Sequence, residues 1–426
     1  MFDLREQGTS VRTELLAGLT TYLTMAYIVV VNPSILAQAG IDHGAAFAAT
    51  CIAAAIGSAA MGLLANLPLA LAPGMGLNAY FTFAVVKGMG VPWQVALGAV
   101  FLSGVLFLII SLLRIREWLI NAIPMSLKLG IGAGIGLFLG LIGLHEMGIV
   151  TGNPETLVAL GHLGTPATLL SCLGFLLIAG LAARGMAGAI LIGIVVSALL
   201  GIPFGLTALH GLISAPPSLA PTFLQLDIAG ALPLGVTTVV LTFFLVDVLD
   251  NAGTLIATTQ RAGLMRADGT LPRLREALMA DSGGAIIGAV LGTSTTTSYI
   301  ESAAGIQVGG RTGLTAVTVA VLFLLTLFFA PIATAVPSFA TAPALVFVAC
   351  LMARALRDIG WDDATEYVPA VTVAIGIPFT FSIATGIGLG FIVYAAVKTA
   401  AGRIGAIAGA VWLIAGLSLL RLALGD

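Results

Sequence analysis

The sequence predicts an all-α polytopic membrane protein: fourteen transmembrane segments in a seven-plus-seven inverted repeat, with short extended stretches and half-helices in spans 3 and 10. Three observations predict it. The chain of 426 residues is 59% hydrophobic and 8% charged, with 17 Lys and Arg against 19 Asp and Glu, whereas a soluble chain carries roughly a quarter of its residues charged. Apolar runs of about the 20 residues that a bilayer demands follow one another along its length. Basic residues recur after every second run, as the positive-inside rule requires. So little charge cannot cover a soluble surface, which excludes a cytosolic enzyme, a nucleic-acid binder and a disordered chain.

Taken in order, the spans fall near 14–38, 43–65, 68–87, 92–113, 118–144, 166–183, 187–203, 230–258, 281–292, 293–306, 311–330, 337–357, 366–381 and 384–399. A further apolar stretch, 403–424, fits either an extra span or a helix lying in the interface. Arg114 and Arg116 follow span 4, Arg184 span 6, Arg261, Arg266, Arg273 and Arg275 span 8, Arg311 span 10, Arg354 and Arg357 span 12, and Lys398 and Arg403 span 14. The intervening loops 145–165, 204–229 and 331–336 contain no Lys or Arg. This places the N-terminus and the even-numbered loops in the cytoplasm. Lys87, Lys128 and Arg421 fall outside the pattern; the first two read as snorkelling or pore-facing. The polar start, MFDLREQGTSVRTE, has no cleavable signal pattern.

Cys51, Cys172 and Cys350 sit singly in apolar runs, and His43, His145, His162 and His210 are scattered, so neither a disulfide framework nor a metal site is expected.

Two segments are anomalous. GMGLNAYF (74–81), preceded by Pro68 and Pro73, and GTSTTTSYIESAAGI (292–306) both open too rich in Gly, Pro or Thr for a helix and then turn helix-like. Asn78 and Glu301 stand 223 positions apart, close to half the chain. One lies in span 3 and the other in span 10, so the two halves enter from opposite sides. Paired broken helices of this kind mark the midplane site of a transporter, because lipid tolerates irregular backbone only where protein or a wet cavity satisfies it. Gly74, Gly76 and Gly292 read as positions of close backbone approach.

Three carboxylates fall within spans: Asp247 and Asp250 in DVLDNAGTL (247–255), and Glu301. Each ionised acid at mid-membrane costs at least about 2.5–3.5 kcal/mol, so three imply a function. Asp247 and Asp250 share a helix face, continued by Thr254. Two acids so close cannot both stay ionised cheaply, so one holds a proton, as proton coupling requires. Asn78 reads equally as a half-helix cap or a ligand contact. The Thr293–Thr297 hydroxyls are expected to satisfy their own backbone, and Tyr27, Tyr80, Phe81 and Tyr299 read first as packing. Facing acids prefer N–H donors, while half-helix N-termini offer N–H groups to acceptors. A flat heterocycle with alternating donors and acceptors matches both, and an inorganic anion does not.

The motifs at 74–81, 247–255 and 292–306, with GGRTGLTAV (309–317), resemble the azaguanine-type purine permeases, the adenine/guanine/hypoxanthine branch of the nucleobase/ascorbate transporters. The likeness runs from about Glu14 through Lys398. It implies a core domain (14–113 with 230–330) and a gate domain (118–203 with 337–399), often dimeric, with 403–424 an additional C-terminal helix. It implies proton-coupled uptake of a purine base across a bacterial inner membrane, with no cofactor beyond co-transported H+. Carried over by position, Asp250 and Glu301 hydrogen-bond the base, Asn78 and Tyr299 complete the pocket with Thr254, and Asp247 with Asp250 carries the proton. Thr254 stands where uracil-type relatives have a polar, often titratable residue, and it cannot titrate. The rivals are a transporter of another solute on the same fold, such as uracil or an anion, and an intramembrane aspartyl protease. The protease would need its two aspartates on separate helices.

Overall fold

The computed structural model describes residues 2–113, 123–209, 211–235, 239–261, 264, 271 and 273–424. Apart from two short two-stranded pairings, the regular structure in these residues is helical. Eight of the described helices are long and apolar enough to cross a membrane, and Ala189–Phe204, Val239–Val248 and Gly409–Leu420 are shorter apolar ones.

The chain begins with α1 (Val11–Met25) and α2 (Ile28–Ala37), which divide predicted span 1 at residues 26–27. Helix α3 (His43–Ala60) is capped by Asp42, whose carboxylate accepts the Ala45 N–H at 2.8 Å. The third span then breaks as expected: strand β1 (Leu71–Pro73) leads into α4 (Met75–Ala79), extended by a π-helical stretch, Tyr80–Gly88. Next come α5 (Trp93–Leu112) and α6 (Met125–Glu146). A hairpin of β2 (Val150–Asn153) and β3 (Leu157–Leu160), which the all-α reading did not anticipate, turns at Asn153, whose side chain accepts from Glu155 N and Thr156 N. Helices α7 (Pro166–Ala183) and α8 (Ala189–Gly201) close the first half.

In the second half, predicted span 8 appears as α9 (Ile228–Gly235) and α10 (Val239–Arg261). Helix α11 (Leu274–Leu291) starts seven residues before the predicted span 9. Arg275 and Glu276 in its first turn ended the apolar run in the sequence while leaving the helix intact. Strand β4 (Thr296–Ser298), α12 (Ser302–Val308), α13 (Gly313–Thr326) and the short α14 (Ala330–Thr334) follow. The chain ends with α15 (Ser338–Ala353), α16 (Ala364–Thr380), α17 (Ile383–Ala400) and α18 (Gly409–Leu424), the last covering the stretch whose topology was left open.

The chain packs as two compact units. The first comprises Met1–Leu112 with Glu146–Ala344, the second Leu113–His145 with Leu345–Asp426. Helices α7 and α8, which the sequence grouping joins to the gate segments, belong to the first unit. There Ser171 on α7 donates to the Phe339 carbonyl on α15 at 2.7 Å. In the second unit α6, α16 and α17 meet through small residues: a Cβ at Gly130 would lie 2.5 Å from the Ala370 carbonyl oxygen. Such contacts are how helices associate in lipid, where burial of apolar surface gives no advantage. Lys398, expected in a cytoplasmic loop, is buried in this unit and paired with Glu366 at 2.6 Å.

Candidate functional site

Two irregular segments from opposite halves of the sequence pair with each other. Strands β1 and β4 run antiparallel with Leu71 opposite Ser298, Ala72 opposite Thr297 and Pro73 opposite Thr296. Two further bonds extend the ladder, Gly74 N to Thr295 O at 3.0 Å and Tyr299 N to Ala70 O at 2.9 Å. Because the strands are antiparallel, α4 and α12 leave the ribbon at opposite ends. Pro73 and the glycines make each segment a poor helix, and pairing supplies the partners that lipid cannot.

A two-stranded ribbon still has two open edges, and side chains from neighbouring helices close them. The Ser58 hydroxyl on α3 accepts Leu71 N at 2.9 Å and donates to Leu71 O at 3.0 Å. On the β4 side the Asn251 side-chain oxygen on α10 accepts Ser298 N and the Thr297 hydroxyl, each at 2.8 Å. Asn251 in turn donates to Asp247 Oδ1 at 2.8 Å. From α11 the fully buried Asp281 accepts the Ser298 hydroxyl at 2.7 Å, and the Ser302 hydroxyl accepts Ala70 N at 3.0 Å.

The sequence-predicted site residues fall around this ribbon. Asn78, fully buried on α4, accepts from the Ser294 hydroxyl, so it joins the two broken segments. Glu301 is at the entrance of α12, where Tyr27 donates to its Oε1 at 2.7 Å. Tyr299 is buried with its hydroxyl on the Pro73 carbonyl at 2.6 Å, which ties β4 to β1 and directs the phenol to the backbone. Asp247 is fully buried on α10. Asp250 belongs to the same helix, one residue before Asn251; its side chain is outside the described residues. Thr254 is buried one turn further, its carbonyl accepting the Thr258 hydroxyl at 2.5 Å. Since Asn251 grips Ser298, the helix of Asp247 and Asp250 abuts the strand that leads into Glu301.

Some expectations are corrected. The hydroxyls before Glu301 bond to side chains of other helices and not to their own backbone: Asn32 donates to Thr293 at 2.9 Å and to Thr50 at 2.7 Å, and Thr297 reaches Asn251. Gly74 and Gly292 do serve close approach: a Cβ at Gly74 would fall 2.6 Å from the Thr297 methyl, and Gly292 has φ +96° where α11 ends. Tyr80 packs edge-on against Phe243 with ring centroids 5.0 Å apart. Tyr27 and Tyr299 are hydrogen-bonding residues, not packing alone.

Sequence reasoning missed Asn251, Asp281 and Glu14. Asn251 is visible afterwards as the i+4 partner of Asp247. Asp281 stands at the predicted edge of span 9, but α11 begins at Leu274 and carries it into the buried interior. Glu14 stands at the predicted edge of span 1, yet it is fully buried. It accepts Arg311 N at 2.9 Å, Thr312 N at 3.3 Å and the Thr315 hydroxyl at 2.5 Å. No His, Cys, Asp and Glu cluster among the described residues could hold a metal ion.

Paired half-helices, an irregular ribbon sealed by side chains and carboxylates beside it define an integral-membrane solute carrier. The chain belongs to the permease family Xan_ur_permease, which matches residues 12–389. It is 53% identical to the putative permease MJ0326 of Methanocaldococcus jannaschii over 99% of this chain and 97% of that one. It is 49% identical to the adenine permease AdeP of Escherichia coli K12 over 100% of this chain and 96% of that one. With the guanine/hypoxanthine permease PbuO of Bacillus subtilis it shares 46% identity over 95% of each. Among solved structures, the transmembrane domain of the cyanobacterial bicarbonate transporter BicA superposes with a TM-score of 0.67 at 15% identity, covering 89% of this chain and 97% of that one. Murine Slc26a9 superposes at 0.66 and 11% identity, covering 91% and 68%. These likenesses extend to the fold alone. The family is one of permeases, which sets aside the protease reading.

Proposed function

We propose that this protein takes up purine nucleobases (guanine, hypoxanthine, adenine or xanthine) together with a proton across the cytoplasmic membrane, by alternating access. One observation carries the reading: Asn251 on α10, the helix of Asp247 and Asp250, accepts the Ser298 N–H of β4 three residues before Glu301, which supports a site shared by acids from distant parts of the chain at a break in regular helix. Full-length relatives that carry adenine, or guanine and hypoxanthine, support the substrate class. Carboxylates accept the N–H groups of a purine, and Asn78 lies in the other half-helix. In this reading Asp250 and Glu301 bind the base, Asn78, Thr254 and the Tyr299 ring complete the pocket, and Asp247 with Asp250 carries the proton. An anion would meet uncompensated carboxylates.

The architecture proposed with it is fourteen spans in a seven-plus-seven inverted repeat, the N-terminus cytoplasmic, the core segments (14–113 and 230–330) moving against the gate segments (118–203 and 337–399). A constant spacing supports the repeat: Tyr27 and Asp250, Ser58 and Asp281, and Asn78 and Glu301 are each 223 positions apart. Ser58 and Asp281, moreover, both bond to the ribbon.

The test is uptake of labelled hypoxanthine, guanine and adenine by cells lacking their own permeases, repeated in proteoliposomes with and without an inward proton gradient. Saturable uptake of a purine that the gradient drives is the expected result. Wild-type rates in both Glu301→Ala and Asp250→Ala would overturn the site assignment. Uptake of uracil but of no purine would overturn the substrate class.

A further inference from the structure

We infer that Tyr27 is a positioning residue for substrate binding: from the interruption between α1 and α2 it sets the direction of the Glu301 carboxylate. The inference rests on the reading of Glu301 as a base-binding acid.

Four features of the geometry converge on it. Tyr27 is 1% exposed, yet its hydroxyl does not sit in apolar packing; it donates to Glu301 Oε1 at 2.7 Å. A hydrogen bond to a charged acceptor is among the stronger ones available to a neutral side chain. The neighbouring Thr24, on the last turn of α1, gives its hydroxyl first to the Thr21 carbonyl at 2.7 Å and shares it at 3.4 Å with the Glu301 backbone carbonyl, so the end of α1 lies against both the side chain and the main chain of this residue. Helix α12 behind Glu301 is seated on the same helix. A Cβ at Gly305 would fall against the Thr21 hydroxyl and 2.5 Å from the Ala17 carbonyl oxygen, so only glycine permits the approach. Finally, Tyr27 stands where the helix is interrupted: α1 ends at Met25 and α2 starts at Ile28. The Glu301 side chain has several rotatable bonds and, at the start of a seven-residue helix, no long element to restrict it. A fixed partner on one oxygen sets the plane in which the carboxylate meets the N–H donors of a base. Held this way, the carboxylate needs less ordering when the base arrives, which appears in affinity and not in the rate of the conformational cycle.

The experiment uses the full-length protein, measuring both equilibrium binding and the KM and Vmax of purine uptake. Tyr27→Phe removes only the hydroxyl. It is expected to weaken binding and raise KM about tenfold, with Vmax within about twofold of wild type. In a Glu301→Gln background the same change is expected to add no more than about twofold to the binding defect. Unchanged KM in Tyr27→Phe, or defects that multiply in the double variant, overturns the inference while leaving purine transport standing. If wild type itself binds no purine, the function reading falls, and this inference with it, on a separate arm. Should Tyr27→Phe yield no folded protein, Thr24→Val tests the same grip: a threefold or so rise in KM at constant Vmax supports it, and an unchanged KM overturns it.

Discussion

The side-chain oxygen of Asn251 accepts the backbone N–H of Ser298 at 2.8 Å, across 47 residues of sequence. One amide thereby closes the β4 edge, holds the Thr297 hydroxyl and bonds Asp247. It binds the helix of the paired acids to the strand before Glu301, and its neighbours cannot be rehydrated from lipid.

Asn251→Leu preserves volume and removes these bonds. Ser298 N–H and the Thr297 hydroxyl lose their acceptor, and each buried group so deprived costs about 1–3 kcal/mol. A clear fall in the melting temperature of the purified protein, with loss of purine affinity even though Asn251 need not touch the base, is the expected outcome. A melting temperature equal to wild type would mean that the ribbon is held by other contacts.

At the entrance to α13, Glu14 performs a comparable task. Its two oxygens serve Arg311 N, Thr312 N and the Thr315 hydroxyl, and it is fully buried. A carboxylate near a helix N-terminus also gains from the helix dipole. Glu14→Ala is expected to destabilise the protein by about 2 kcal/mol or more, and Glu14→Gln, which keeps one acceptor, by less. Thermal unfolding of the two variants checks the ranking; equal melting temperatures would show that acceptor count is not what matters.

The sequence made the broken segments legible because Pro73, Gly74 and the Thr293–Thr297 run disfavour helix whatever surrounds them. Asp247 and Glu301 were legible for a different reason: charge in an apolar run has few explanations. What surrounds them was not legible. Nothing local tells that Ser58, one hydroxyl in a small-residue helix, closes the β1 edge, or that β1 pairs with a strand more than two hundred residues away. Tyr27 was read as packing because a tyrosine in an apolar run usually is; only its partner reveals the hydroxyl's use. Boundaries failed where charge and helix disagreed, as at Arg275 and Glu276 in α11.

In the second unit, Lys398 Nζ lies 2.6 Å from Glu366 Oε1, the side chains being 7% and 28% exposed, and Ser126 donates to the other carboxylate oxygen at 2.5 Å. Removing one partner strands a charge that has little access to water, which typically costs about 3–5 kcal/mol. Lys398→Met and Glu366→Leu singly are therefore expected to lower the melting temperature strongly, and the double variant much less than their sum. Additive effects in this cycle would show that the pair carries no coupling.

Asp363 offers a test by pH, at a group outside the spans. It caps α16: its Oδ1 accepts the Thr365 hydroxyl at 2.8 Å and the Thr365 N–H at 2.9 Å, and Arg403 reaches its Oδ2 at 2.6 Å. These bonds, those from Thr365 foremost, hold its carboxyl down to about 2 from the ordinary 3.8. The folded chain thus takes up this proton less readily than the unfolded one. The stabilisation is fully present above the unfolded value and disappears as pH falls through the folded one. Asp363→Asn imitates the protonated group and still caps the helix. The wild type should therefore melt above the variant by a constant margin from neutrality down to about pH 5, a margin that narrows below about pH 4 and vanishes near pH 2. High salt should shrink it, since the Arg403 pair is exposed. A margin that survives undiminished at pH 2 would show that the Asn side chain disturbs the cap itself and that the carboxylate charge contributes nothing there.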